Sequence, residues 1–245
     1  MTDTAASRTP LSPTPRSTVT RYRDRAATDR AALDEILDEG MICHLGIMRH
    51  GAPVVLPTIY GRVGDTLYLH GSTGAGNLRA ALTGEVCVAV TLVDAIVYAR
   101  AAMHFSMNYR SAVIHGRPIE ITDDDQRLLA LRAIVEHSAP GAWDTVRPPD
   151  KKESAATKVL ALDLTEASVK TRTGDPSDDP ADLGSPAWAG LLPVHTAFGD
   201  PVPAADLANH NDAPDHIRAR TRGAGDGSRF IGVETCSACV AAQVE

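Results

Sequence analysis

The sequence predicts a mainly β protein: a closed or nearly closed antiparallel barrel with a few helices packed outside it. Three observations lead there. From Met41 onward the apolar pattern leaves helical spacing and breaks into short runs rich in β-branched residues. The first spacers between those runs, "RHGA" and "GRVGD", are short and carry glycine, as hairpin turns do. Helical spacing survives in only a few stretches, and six or seven strands with so few helices bury their apolar faces best as a barrel. No internal repeat is visible.

The elements follow in order. Residues 1–20 are rich in Ser, Thr and Pro and nearly empty of large apolar side chains, so they are expected as a disordered arm. In "TDRAALDEILDEG", Thr28 or Asp29 can cap a helix, Leu33, Ile36 and Leu37 form its apolar stripe, and Gly40 can end it. "MICHLGIM", "PVVLPTIY" and "TLYLH" read as three antiparallel strands, followed by a glycine-rich turn and a helix from Asn77 to Leu82. "EVCVAVTLV", "AIVYARAA" and "YRSAVIHGRPIEI" read as three more strands, and "TKVLALDLTEASVKTR" as one last long strand. Thr122 and Asp125 fit a capping arrangement for a helix through Leu128, Leu131 and Val135 to about His137. Residues 204–245 are low in large apolar side chains and are expected to lack order, which leaves a folded domain over 21–203.

Composition narrows the function. With 245 residues, 43% of them hydrophobic, the chain can bury a substantial core. A formal net charge of −7 argues against a nucleic-acid partner, which needs a basic face to replace counterions. No apolar run approaches the roughly 20 residues of a membrane helix, and the start shows no apolar stretch of a signal peptide, so a cytoplasmic protein is expected. "DEILDE" and "TDDDQ" read as solvated helix faces and helix starts, not as paired catalytic carboxylates. Cys236 and Cys239, with His210 and His216 upstream, could bind zinc in principle, but their order and spacing match no common finger, so no metal site is assigned. A redox-sensitive dithiol is an equal reading of the cysteine pair.

The stretch "LYLHGSTGAGNLRAAL", residues 67–82, carries the main functional question. A strand, a glycine-rich turn and a helix start can hold a phosphate on unpaired backbone N–H groups. Glycine also makes plain turns cheaply, and from these residues alone a lipocalin-like binder, an OB-like module and a flavin barrel all stay open.

The order of "CHLGI", "PTIYGRVGDTLYLHGS", "VTLVDAIVYARAAMHFSMNYRSAVIHG", "ATKVLALDLTEASVK" and "WAGLLPV" resembles the pyridoxamine 5′-phosphate oxidase-like family of FMN-binding split barrels. Within that family it looks like the branch that includes the nitroimidazole-resistance reductases. The resemblance runs from about Arg21 to Pro193 and is strongest in "HFSMNYRS". It implies a six-stranded antiparallel split β-barrel with flanking helices, a homodimer, and FMN in two equivalent clefts touched by both chains.

The resemblance further implies that Pro57, Thr58, Ile59 and Tyr60 lie beside the flavin ring and serve its polar edge with backbone groups. It puts the phosphate at His70, Gly71, Ser72 and Asn77, matches Asn108, Tyr109, Arg110 and Ser111 on a facing strand, and has Trp188 cover a neighbouring flavin across the dimer. The Ser-Arg pair usual after the turn is replaced by Ala75 and Gly76, and Arg110 or Arg79 is the candidate replacement for the missing charge. The plainer readings are that His70 only bonds its neighbours and that Trp188 is a dimer-core residue. An inward-facing Arg110 needs an anionic partner of some kind.

What this implies is an FMN-dependent, reductase-like oxidoreductase acting on a small-molecule substrate, with a nicotinamide such as NAD(P)H as electron donor and no named catalytic side chain. Two alternatives stay open. One is a non-enzymatic flavin-binding protein. The other is the same barrel binding haem or a deazaflavin, with His44, His70, His104 and His115 as candidate axial ligands.

Overall fold

The computed structural model describes residues 10–207 and 212–222. They divide into a unit ending at His195 and a smaller one beginning at Thr196. In the first, β1 (Ala26–Ala27) leads to α1 (Arg30–Glu39), the hairpin β2 (Cys43–Arg49) and β3 (Ala52–Thr58), then β4 (Gly61–Val63), β5 (Thr66–Ser72) and α2 (Gly76–Leu82). The long pair β6 (Val86–Tyr98) and β7 (Ser106–Gly116) follows, then β8 (Ile119–Glu120), α3 (Asp124–Ser138), α4 (Lys151–Ala156), β9 (Thr157–Asp163), β10 (Ala167–Arg172) and β11 (Gly190–Pro193). One antiparallel sheet runs β1-β10-β7-β6-β2-β3, with β11 added to β6, and a second runs β4-β5-β9-β8. The two do not close into one ring, and the fold is a split β-barrel, mainly β with flanking helices.

The period-2 pattern places the core. Cys43, Leu45 and Ile47 of β2 point inward, in one cluster with Leu67 and Leu69 of β5, Val86, Val88 and Val90 of β6, and Leu160 and Leu162 of β9. Leu33, Ile36 and Leu37 bury the apolar stripe of α1 in the same cluster, each side chain contributing about 1.5–3 kcal/mol. Asp29 caps α1, accepting from the Ala31 N–H at 2.9 Å. Gly40 ends it with a φ of −71°, so no left-handed turn is involved. What requires glycine is close approach: a Cβ there would lie 2.5 Å from Val90 Cγ1 and 2.9 Å from the Tyr60 hydroxyl.

Several elements differ from the sequence reading. The two strands read over residues 85–102 are one continuous β6, whose pairing with β7 slips at Asp94. That bulge inserts one residue and reverses the pleat, so buried positions change from Val86, Val88 and Val90 to Ala95 and Val97. The last long strand is instead two, because residues 164–166 turn the chain from one sheet to the other. Leu164 N–H donates to the Asp65 carbonyl at 2.9 Å, and Thr165 N–H to the Asp163 carboxylate at 2.6 Å. The cap of α3 is Asp123, which accepts from Gln126 N–H at 2.9 Å, in place of Thr122.

The N-terminal segment was expected to lack order, yet from Pro10 it packs on the barrel. Leu11 is buried in the core, Ser12 N–H donates to the Ala167 carbonyl at 2.7 Å, and Arg16 pairs with Glu166 at 2.6 Å and also with Glu85. In the second unit α5 (Asp215–Arg222) forms where no helix was expected. There Arg218 pairs with Asp215 at 2.6 Å, and the Arg220 guanidinium stacks 4.0 Å from the Phe198 ring centroid. His216 lies on α5, whereas His210, Cys236 and Cys239 lie outside the described residues. Among the described residues no helix is long and apolar enough to cross a membrane.

Candidate functional site

The β5–α2 turn is built tightly. Ala75 N–H donates to the Ser72 carbonyl at 2.8 Å, and Gly74 N–H to Ser72 Oγ at 3.2 Å. Gly71 is demanded by the helix that follows, since a Cβ there would lie 2.8 Å from Leu78 Cδ1. Arg79 reaches back along α2 to the Thr73 carbonyl at 3.5 Å.

A second arginine comes from another element. His50 and Gly51 have φ of 51° and 78°, both positive, which is the two-residue hairpin turn that suits a twisted β-ribbon. That turn sets Arg49 opposite Ala52 at the end of β2. From there Arg49 Nη1 donates to Asn77 Oδ1 at 2.9 Å. A Cβ on Gly76 would lie 3.0 Å from Arg49 Nη2 and 3.3 Å from its Cζ. The guanidinium of Arg49 therefore stands beside the position where the family carries an arginine of its own. A cleft of about 340 Å³ opens here between the hairpin end and one face of α2, lined by Arg49, His50, Gly76, Arg79 and Thr83 among others.

Arg110 is committed elsewhere. It bonds Glu39 at 2.6 and 2.9 Å and Asp94 at 2.7 and 3.2 Å, carboxylates that raise its pKa further above the ordinary guanidinium value. The anion that an inward Arg110 needs is thus supplied by its own chain, and the expectation that it replaces the missing charge at the turn is corrected. Asn108 is buried in a structural pair, accepting from Arg172 and donating to the Gly174 carbonyl at 3.1 Å. Ser111 Oγ donates to the Lys170 carbonyl at 3.2 Å, and Tyr109 is half-buried opposite Arg172.

Of the four residues assigned to the flavin ring, Pro57, Thr58 and Ile59 keep exposed or half-exposed surface at the end of β3. Tyr60 does not. It has no accessible surface, its hydroxyl lies 2.7 Å from both the Leu37 and Gly40 carbonyls, and it belongs to the core. Trp188 is 65% exposed, with its ring edge against Tyr98 at a centroid distance of 5.5 Å. His70 is half-buried, and its Nδ1 has no hydrogen-bond partner among the described residues. Burial lowers its pKa, which keeps the imidazole neutral.

Two neighbouring cross-strand rows on the outward face of the large sheet carry no Asp, Glu, Lys or Arg in β3, β2, β6 and β7, while Lys170 of β10 stands on the same face in the row of Thr91 and Ser111. Cross-strand rows there read Pro57, His44, Ala89, Val113 and Val55, Gly46, Cys87, His115, with Met48 and Val55 both more than half exposed. His44 is exposed and His115 half-buried on this face. His104, in the β6–β7 connection, has Nε2 3.5 Å from the Asp179 carboxylate. His70 shares its side of β5 with Tyr68, which packs against Ala130 and Leu131 of α3.

The class this fold defines is the split β-barrel, and comparison with known proteins gives the family within it. The family model described as pyridoxamine 5′-phosphate oxidase matches residues 29–171, and the chain belongs to that family. Two solved structures resemble it over most of its length. The flavocytochrome Anf3 from Azotobacter vinelandii is 36% identical with a TM-score of 0.81, covering 86% of this chain and 99% of that one. The FAD and haem binding protein from Mycobacterium smegmatis is 37% identical with a TM-score of 0.77, covering 80% of this chain and 97% of that one. A 5-nitroimidazole antibiotic resistance protein from Bacteroides thetaiotaomicron shares the fold, at 24% identity and a TM-score of 0.52 over 59% of this chain and 85% of that one. No curated protein sequence matches the chain.

Proposed function

We propose that this protein is a cytoplasmic flavin-nucleotide-dependent oxidoreductase that also carries haem and works as a homodimer. One observation carries the reading: two structures more than a third identical over at least 80% of this chain are a flavocytochrome and a FAD and haem binding protein. The expectation of FMN alone widens to a flavin nucleotide, FMN or FAD, and haem moves from an alternative ligand to a second cofactor.

The residues fit both groups. Backbone groups of Pro57, Thr58 and Ile59 would serve the polar edge of a flavin ring, and Ser72, Asn77 and Arg79 its phosphate end. A haem needs apolar walls and an imidazole ligand, and the outward sheet face offers both, with His44 and His115 on it and His104 in the β6–β7 connection as a third donor. An Asp beside an imidazole fixes its tautomer, which is what Asp179 would do for His104. Bound flavin supplies hydride acceptance from a nicotinamide and haem supplies one-electron steps, while this chain binds, orients and shields them. The exposed apolar side chains of the outward face, Met48 and Val55 among them, would gain cover from a second copy.

The test is anaerobic mixing of the purified protein with NADH and NADPH, with its mass measured by light scattering. A dimer whose flavin bleaches and whose haem is then reduced supports the reading. A monomer, or flavin that neither nicotinamide reduces, contradicts it.

A further inference from the structure

Outside the surfaces proposed for flavin and haem, the cleft at Arg49 carries an unmet chemical need. Arg16, Arg30, Arg62, Arg100, Arg110, Arg132 and Arg147 all pair with carboxylates. Arg49 and Arg79 have only neutral partners among the described residues, the Asn77 amide oxygen and the Thr73 carbonyl. Both line one cleft of about 340 Å³, and no Asp or Glu lines it. In a chain of net charge −7, two guanidinium groups facing one cavity without an acid are an unmet demand for anionic charge.

The cleft is continuous with the phosphate turn. Gly76 and Arg79 lie on α2 directly after the turn, Arg79 bonding the Thr73 carbonyl within it, and Asn77 on the same helix is held by Arg49. A flavin mononucleotide brings one phosphate to the turn. A dinucleotide brings a second, with a nucleoside beyond it, and a cavity of this volume falls in the range that holds such a group.

We infer that the Arg49–Arg79 cleft binds the diphosphate and adjoining nucleoside of a flavin dinucleotide, making these two arginines the residues that select FAD over FMN. The assignment rests on the flavin reading above. Gly76 is part of it: the missing side chain leaves the space in which the Arg49 fork stands, so the arginine lost from the turn returns from the β2–β3 hairpin. Guanidinium forks suit this task because each can donate two parallel N–H bonds to phosphate oxygens in one plane.

The experiment measures dissociation constants of the full chain, after exchange of any bound flavin, for riboflavin, FMN, FAD and ADP. Wild type, Arg49→Gln, Arg79→Gln and the double variant are compared, with unfolding midpoints confirming that each folds. Wild type is expected to bind FAD more tightly than FMN and to bind ADP alone. Each single variant should lose roughly tenfold or more in affinity for FAD and ADP, as a charged hydrogen bond of about 1.5–3 kcal/mol implies, with riboflavin unaffected. Equal FMN and FAD affinities, unmoved by either variant, would overturn the assignment while leaving flavin binding intact. ADP binding lost in the variants, in a protein that takes no flavin, would keep the cleft and remove the flavin reading. No binding of any of the four compounds would remove both.

Discussion

Arg110 shows how much one residue can be read from sequence and where the reading stops. That an arginine leading an apolar strand needs an anion follows from the energetics of burying charge, and the need is met. Which anion meets it depends on Glu39 at the end of α1 and Asp94 at a bulge, two positions that only the tertiary fold brings to it. Arg49 is the reverse case. It stands in "RHGA", a spacer whose turn chemistry was legible, but its reach to Asn77 depends on how the hairpin packs beside α2. The signal available was its place at the start of a predicted hairpin spacer. Replacing Arg110 with Met is therefore expected to lower stability by about 1–3 kcal/mol, since it leaves Glu39 and Asp94 facing each other unpaired, and to leave FAD affinity unchanged. Urea unfolding and flavin titration of the same sample check this. A large loss of FAD affinity with stability intact would return Arg110 to the phosphate site.

Strands and helices were legible where one period held throughout, as in β2, β5 and α1. They were misread where a local device changed the period. The bulge at Asp94 hides the continuity of β6, because a pleat that reverses mid-strand looks like two strands. The turn at 164–166 joins two β-prone stretches and carries no glycine or proline to announce it. The N-terminal segment was misread for a different reason: its composition is that of a disordered arm, and its order comes from partners 69 and 150 residues away. Arg16 and Thr14 hold the Glu166 carboxyl at about 2, below its ordinary value of 4.5. A carboxyl depressed in the folded state contributes fully above about pH 4.5 and loses its contribution as pH falls through about 2. Residues 10–20 are thus expected to detach on acidification across that window. Glu166→Gln should release them at neutral pH, where the readout is faster trypsin cleavage after Arg16 with the barrel intact. An unchanged cleavage rate would mean that Leu11, the Ser12 bond to Ala167 and the Arg16–Glu85 pair anchor the segment without Glu166.

At the scale of the whole molecule, the family resemblance read from five sequence stretches agrees with the fold. Haem binding, as proposed, was legible only as an alternative, because an axial histidine has no spacing rule and four candidates were scattered over three elements and a connection. Packing now separates them: His70 lies on the α3 side of β5, while His44 and His115 face outward. The most direct test of the central claim is the absorption spectrum of the full-length protein after saturation with FAD and haemin and removal of excess by gel filtration. Retained flavin bands together with a Soret band, the latter lost in His44→Ala, His104→Ala or His115→Ala and kept in His70→Ala, is the expected result. A protein that emerges with neither chromophore would contradict the account.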